Sequence, residues 1–223
     1  MPRFPNPPTD LSGNMAYRKR IDTLARGSEE FAAMVRWQFE HDIEWAINTF
    51  FWTRDTRLEV TDRPFILMDF QIPVLKAIAT AKKDVVVVKP RDMGMSWITL
   101  VRFVHGFMCQ RGVNYHCISK NEDAVDKKGD PNCLFWKMHY MLDMFPAYLR
   151  PNFQHTHMLI TNLENDCTIT GEATSETAGR SGRASQMLVD ECAAIKNLRI
   201  LRAFIAQGRG ANAPCMDGRS SQM

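Results

Sequence analysis

Two short stretches of the sequence hold residues of the kind that act on phosphate. The first, "VVVVKPRDMGMSW" at residues 85 to 97, opens with strand-forming valines, breaks at Pro90 and passes through Gly94 and Ser96 into an apolar, helix-like segment. A phosphate-binding loop needs those parts in that order. They are a strand, a tight turn whose backbone N–H groups converge on an anion, a helix whose positive end faces it, a cation, and a Ser or Thr hydroxyl for magnesium. Set against G-x-x-x-x-G-K-[ST], residues 89 to 96 place Lys89 at the first glycine, Gly94 at the second, Met95 where the lysine belongs and Ser96 at the hydroxyl. The standard expression fails, yet the chemistry survives if Lys89 or Arg91 reaches back over the phosphates from the front of the loop. Taken alone, the segment also fits an ordinary strand-to-helix connection with a charged turn.

The second stretch is "QMLVDE", residues 186 to 191. An Asp at the end of a buried strand beside the loop can hold magnesium, and a following Glu can orient and deprotonate an attacking water. Asp190 and Glu191 would then have separate tasks. An acidic pair at a strand end is common by itself; loop and acid pair in this order on alternating strands point to a nucleotide hydrolase.

The elements that must position these residues follow from the pattern. Strand 84 to 88, helix 94 to about 110, strand 113 to 119, a long helix within 121 to 145, strands 157 to 162 and 166 to 173 joined as a hairpin at Asn165-Asp166, strand 186 to 191 and helix 193 to 207 succeed one another. Strands alternating with helices imply an α/β fold with a mainly parallel sheet and helices on its faces. Ahead of it, residues 1 to 13 are Pro-rich and read as an extended arm, and a first helix starts near Asn14. A second helix runs from the cap at Ser28, with Phe31, Val35, Phe39, Ile43, Ile47 and Phe50 on one apolar face. Residues 51 to 69 read as irregular, and "FQIPVLKAIATAKK" as helical beyond Pro73. The division falls near residue 60: an amino-terminal arm and helical subdomain over 1 to 60, and the α/β core over 61 to 223. The tail from 208 to 223 is polar and Gly-rich and does not read as a strand.

Composition narrows the class. A chain of 223 residues, 45% hydrophobic, can bury a sizeable core, and its net charge of +3 neither requires nor excludes a nucleic-acid partner. The six cysteines form no C-x-x-C pair, which disfavours a zinc site and reads as reduced thiols. No run approaches the roughly 18 to 20 apolar residues of a membrane span, and the amino terminus lacks a secretory h-region, so a soluble, intracellular protein is expected. His155 and His157 in "QHTHM" share one face of any strand but have no carboxylate or third ligand nearby in sequence, and read as surface histidines. Arg18, Lys19, Arg20, Lys82, Lys83, Lys127 and Lys128 read as solvated helix ends that can also track a DNA backbone.

The lysine-first loop, together with "ISKNEDAVDKKGDPNCLFWKMHYMLDMFPAYLRP" and "ITGEATSETAGRSGRASQMLVDECAAI", resembles the ATPase domain of the large terminase subunit, the DNA-packaging motor of tailed bacteriophages and related viruses. The resemblance runs from about 70 to 196, with the amino-terminal helices agreeing more loosely. It implies a P-loop NTPase fold of the RecA-like, ASCE type, and in that family the basic residue of the loop is commonly moved forward, as Lys89 and Arg91 would be here. It further implies ATP and Mg²⁺ as cofactors. Asp92, Met93, Gly94, Met95 and Ser96 would cradle the triphosphate, with Ser96 and Asp190 on magnesium, Glu191 as catalytic base and Lys89 and Arg91 as catalytic cations; Trp97, next after the loop, reads either as a wall of the site or, more simply, as packing. Gln71 would read adenine. Arg180 or Arg183 in "GRSGRAS" would reach a phosphate in its own subunit or a neighbour's; a basic turn or DNA contact is the other reading. Asn121 and Glu122 are open in the same way. The implied partners are double-stranded DNA, a small terminase subunit, a portal protein and other copies in a ring, with no membrane, in the cytoplasm of a bacterial host.

The resemblance breaks at the end, where the family continues with another strand, a coupling segment and a nuclease domain. Residues 208 to 223 do not read that way, and the chain is expected to be a fragment. Two further readings stand beside the packaging ATPase. One is a helicase-like ATPase, favoured by "DECA" and Gln71 and opposed by Met95; the other is a non-catalytic assembly module.

Overall fold

The computed structural model describes residues 3–80, 84–90, 93–174, 184–192, 195 and 215–217. Two compact units make up the chain: Met1–Ile72 with Tyr140–Pro151, and Pro73–His139 with Asn152–Met223. The first contains residues 1 to 60, read from the sequence as an arm and helical subdomain, together with 61 to 72 and 140 to 151.

In the first unit, short polar side chains set the helix starts. Asp10 accepts from the Gly13 N–H at 2.8 Å and begins α1 (Leu11–Gly27), a few residues earlier than apolar periodicity suggests. Ser28 accepts from the Phe31 N–H at 3.2 Å and begins α2 (Glu29–His41), with Glu29 and Glu30 in its first turn. The single helix expected beyond Ser28 is in fact two. Asp42 leaves helical geometry (φ −138°, ψ 87°) and accepts from the Trp45 N–H at 3.0 Å, which ends α2 and starts α3 (Ile43–Phe50). Residues 51 to 69, expected to be irregular, contain an antiparallel pair, β1 (Trp52–Arg54) with β2 (Asp62–Pro64).

Arg18 is not the solvated helix end expected of it. Only 7% exposed, it donates to the carbonyls of Phe51 and Asn48 at 2.9 Å each and to Asn14 Oδ1 at 2.7 Å. Those carbonyls lie at the carboxyl end of α3, where no further helical N–H can reach them, and the planar guanidinium serves several at once. Phe39, Phe50, Phe51 and Phe145 pack edge-on and stacked beside it as the aromatic core of this unit.

The α/β part begins with α4 (Gln71–Thr80), β3 (Val85–Val86), α5 (Met95–Cys109), β4 (Asn114–Ser119), α6 (Glu122–Val125) and α7 (Leu134–Met144). It continues with β5 (Phe153–Thr156), β6 (Leu159–Asn162), β7 (Thr168–Ala173), β8 (Gln186–Val189) and β9 (Cys215–Asp217). The sheet order is β3-β9-β8-β4-β7-β6-β5. From β3 to β7 every neighbour is parallel, whereas β6 and β5 fold back antiparallel. The hairpin expected at Asn165-Asp166 is β6 to β7, with Asp166 in the left-handed region at φ 60°.

Three expectations are corrected. The long helix within 121 to 145 is broken into α6 and α7, because Gly129 turns at φ 80° and Pro131 follows it. The tail does contain a strand: β9 sits between β3 and β8, parallel to both. His155 is no surface histidine, since its Nδ1 meets His139 Nδ1 at 2.7 Å and Asp126 lies 3.5 Å from its Nε2; His157 pairs with Glu122 at 2.8 Å. The helix expected over 193 to 207 lies, apart from Ile195, outside the described residues.

Helix α5 is apolar nearly all round and buried accordingly, with Ile98, Val101, Phe103, Val104 and Phe107 inaccessible to solvent. Asn162 and Asn165 each donate to the Phe107 carbonyl at 2.9 Å and tie down its carboxyl end. The packing around β7 leaves no room beside Gly171, where a Cβ would stand 2.5 Å from Val125 Cγ1 and 2.8 Å from Phe135 Cε2. Gly171→Ala is therefore expected to lower the unfolding free energy by about 1–3 kcal/mol through overpacking, measured by urea denaturation; an unchanged midpoint would mean that α6 and α7 yield freely at this contact.

Candidate functional site

The site grows out of the pairing of β4 with β8. Their parallel register runs from Tyr115↔Gln186 to Ile118↔Val189, and the Asp190 N–H extends it by donating to the Ile118 carbonyl at 2.9 Å. Because the strands are parallel, the residues that follow each of them emerge at one edge of the sheet: Lys120 and Asn121 after β4, Asp190 and Glu191 after β8.

The loop from β3 arrives at the same place. Gly94 stands at φ 68°, ψ 14°, a left-handed conformation that suits glycine, and no side chain caps the first turn of α5 behind it. Met95 is 8% exposed, so the position at which the standard expression has lysine is part of the core. The next residue, Ser96, donates from its hydroxyl to Asp190 Oδ1 at 3.3 Å. The serine at the start of α5 and the strand-end aspartate, 94 residues apart, are thus in direct contact.

Around them is a cavity of about 750 Å³, lined among others by Lys89, Ser96, Lys120, Lys137, Asp190 and Glu191. That volume lies within the range of small-molecule clefts, roughly 300–1,000 Å³. Burial pushes the Asp190 carboxyl above the usual carboxylate range; the Lys137 ammonium opposes that shift and the neighbouring Glu191 reinforces it. Lys137 itself is lowered by burial, with Asp190 pulling the other way. Its Nζ donates to the Asn132 carbonyl at 3.0 Å and lies 5.9 Å from the centre of the Trp97 ring. Glu191 has a left-handed backbone at φ 53°, a conformation costing about 1–3 kcal/mol for a non-glycine residue. Its carboxylate meets Lys120 Nζ at 2.8 Å, and that hydrogen bond and charge raise the Lys120 pKa.

Of the residues singled out in the sequence, Lys89, Ser96, Asn121, Asp190 and Glu191 line the same cavity, and Met93 and Gly94 precede Ser96 in the chain without lining it. Asn121 also accepts from the Ala124 N–H at 2.9 Å and starts α6, while Glu122 turns to His157. Gln71 begins α4, buried, with its Oε1 accepting from the Met68 N–H at 3.1 Å. Arg91, Asp92, Arg180 and Arg183 lie outside the described residues. Sequence reasoning missed Lys120 and Lys137. The signal for Lys120 was its place directly after a strand that ends beside the acid pair; Lys137, inside an amphipathic helix, gave none.

The oxygen donors fit magnesium. This ion is bound by one or two protein oxygens together with phosphate and water rather than by an all-protein cage, and the Ser96 hydroxyl beside a desolvated Asp190 carboxylate is such a pair. Among the described residues no group of three or more His, Cys, Asp or Glu is arranged to hold a metal, and no helix among them is long and apolar enough to cross a membrane.

No protein-family model matches the chain, and no curated protein matches it in sequence. Solved structures do match in fold. The HK97 bacteriophage large terminase superposes with a TM-score of 0.58 at 8% identity, covering 80% of this chain and 37% of that one. The fold is similar to that of phage large terminases. The large terminase ATPase domain of Thermus phage P74-26 aligns at a TM-score of 0.46 and 15% identity, covering 67% of this chain and 65% of that one. The chain therefore spans less than two thirds of the length of these terminase structures.

A carboxyl whose pKa is higher in the folded than in the unfolded chain contributes its stability below the ordinary carboxylate range and loses it as pH rises through that window. Above that window burial of the Asp190 carboxyl therefore subtracts from stability. Asp190→Asn is expected to raise the unfolding free energy by roughly 0.5–2 kcal/mol, seen as a higher Tm at neutral pH and a gap from wild type that narrows on acidification. A Tm at or below wild type would show that water reaches this carboxylate freely.

Proposed function

We propose that the chain is the ATPase part of a viral DNA-packaging motor, a terminase large subunit, which hydrolyses ATP and couples hydrolysis to the movement of double-stranded DNA into a procapsid. The observation that carries this reading is the contact of Ser96 with Asp190 at the carboxyl edge of a parallel sheet, directly behind a left-handed Gly94. The likeness in fold to the HK97 large terminase supports it. The sheet and its flanking helices are then those of a P-loop NTPase with an amino-terminal helical subdomain.

In this reading the N–H groups at the start of α5 bind the phosphates, since they carry the positive end of a long buried helix. Lys89 and Arg91 add charge from the front of the loop, and Gln71 reads the base. Ser96 and Asp190 hold Mg²⁺, which when bound neutralises phosphate charge. Glu191, at the end of β8, takes the proton of the attacking water, and its ion pair with Lys120 must open first. Arg180 or Arg183 reaches a phosphate in its own or a neighbouring subunit, a contribution of about 10³–10⁵ in rate where such arginines act. Double-stranded DNA, a small terminase subunit, a portal protein and further copies in a ring are the partners, and the host cytoplasm is the setting.

Removing the general base should cost about 10²–10⁴ in rate. Glu191→Gln is accordingly expected to abolish most steady-state ATP hydrolysis while ATP binding persists, measured by phosphate release and by equilibrium titration. A variant that turns over like wild type sinks the assignment of Glu191, and a wild type that binds ATP without releasing phosphate would favour the non-catalytic assembly module.

A further inference from the structure

We infer that Lys137 supplies, from α7, the cation for the terminal phosphates that the loop lacks at position 95. The inference rests on the nucleotide-hydrolase reading above and adds to it a binding residue from a separate element.

Position 95 has no cationic role, because Met95 is part of the core. The other cleft lysines differ from Lys137 in their commitments. Lys120 is held by Glu191 at 2.8 Å and Lys127 by Asp123 at 2.7 Å, while Lys89 is exposed at the mouth. Lys137 sits deeper. Its helix is fixed by Leu134, Phe135, Met138 and Met141, each at most 1% exposed, so its stem leaves a rigid element. The ammonium lies 5.9 Å from the ring of Trp97, the residue after Ser96, and its charge acts on Asp190. An ammonium has three N–H donors. Among the described residues one hydrogen bond is made, to the Asn132 carbonyl at 3.0 Å, which leaves two for an anion. A partly buried cation with donors to spare, beside the phosphate-loop serine and the magnesium aspartate, suits an oxyanion added to the cavity. The γ- and β-phosphates of a nucleoside triphosphate supply that anion, whereas a monophosphate held at the loop would not extend so far.

The test compares ATP with AMP, each with magnesium, by equilibrium titration of the full chain. Losing one charge-assisted contact of about 1.5–3 kcal/mol weakens binding by about tenfold or more; Lys137→Met should show that loss for ATP, leave AMP unchanged, and be largely repaired by Lys137→Arg. Parallel losses for both nucleotides, or no loss for ATP, overturn the inference. Should Lys137→Met fail to fold by circular dichroism, amine modification of the wild type resolved by residue replaces it. ATP, but not AMP, is expected to protect Lys137. Protection of Lys89 alone would overturn only the role of Lys137. A wild type that binds neither nucleotide would remove the hydrolase reading and this inference with it, which is a distinct result.

Discussion

The parallel pairing of β4 with β8 is the constraint on which the site depends. Met187, Leu188 and Val189 are all buried, as expected of a strand covered on both faces, and His116, Cys117 and Ile118 opposite them are buried as well. A slip of one residue would exchange the faces on which the side chains stand. It would also take Asp190 away from Ser96 and Glu191 from Lys120. The packing that defines the centre of the sheet and the placement of its two acids are thus one requirement, and β9 on the far side of β8 adds a second parallel ladder that holds the same register.

The edge so defined accumulates local costs. Glu191 adopts a left-handed backbone, Asp190 is desolvated, and burial disfavours the charged form of Lys137. Sequence, sheet and packing agree elsewhere, as in the capped helices of the first unit and the apolar α5. Departures from local preference gathered at one spot are the mark of a place kept for something other than stability. The two electrostatic costs fall when a counter-charge is added: an anion near Lys137, or a cation near Asp190, offsets the penalty that burial imposes on the bare group.

Much of this was legible in the residues. The valines ahead of Lys89, the glycine and serine ahead of an apolar helix, and the hydrophobic run ending in Asp-Glu are short-range signals, and the contact of Ser96 with Asp190 needed only the rule that alternating strands and helices make a parallel sheet. What escaped has a physical reason in each case. Cys-Met-Asp at 215 to 217 carries no β-branched residue and no alternation, and becomes a strand because β3 and β8 offer it two ladders. The break of the long helix was written in Gly129, Asp130 and Pro131 but was outweighed by the apolar spacing around it. Arg18 and Lys137 look like exposed helix charges in sequence, and only the carbonyls at the end of α3 and the cavity wall distinguish them from such charges.

Met95 and Lys137 are linked in the role proposed for Lys137. A loop lysine at position 95 would have to leave a core site, whereas a lysine on α7 reaches the cavity from an element whose apolar face is already anchored. The consequence is mechanical. In a loop that carries its own lysine, one segment makes both the backbone and the side-chain contacts to an anion. In the proposed reading the cations come from the end of β3, the end of β4 and the first turn of α7, and a ligand that draws on all of them ties three separate segments together. Binding of such a ligand would stabilise the arrangement of those segments as well. The lysine that follows β4 is the one already engaged, by Glu191. In the proposed reading, a ligand that draws on these cations competes with Glu191 for Lys120, the ion pair that must open before Glu191 acts as a base.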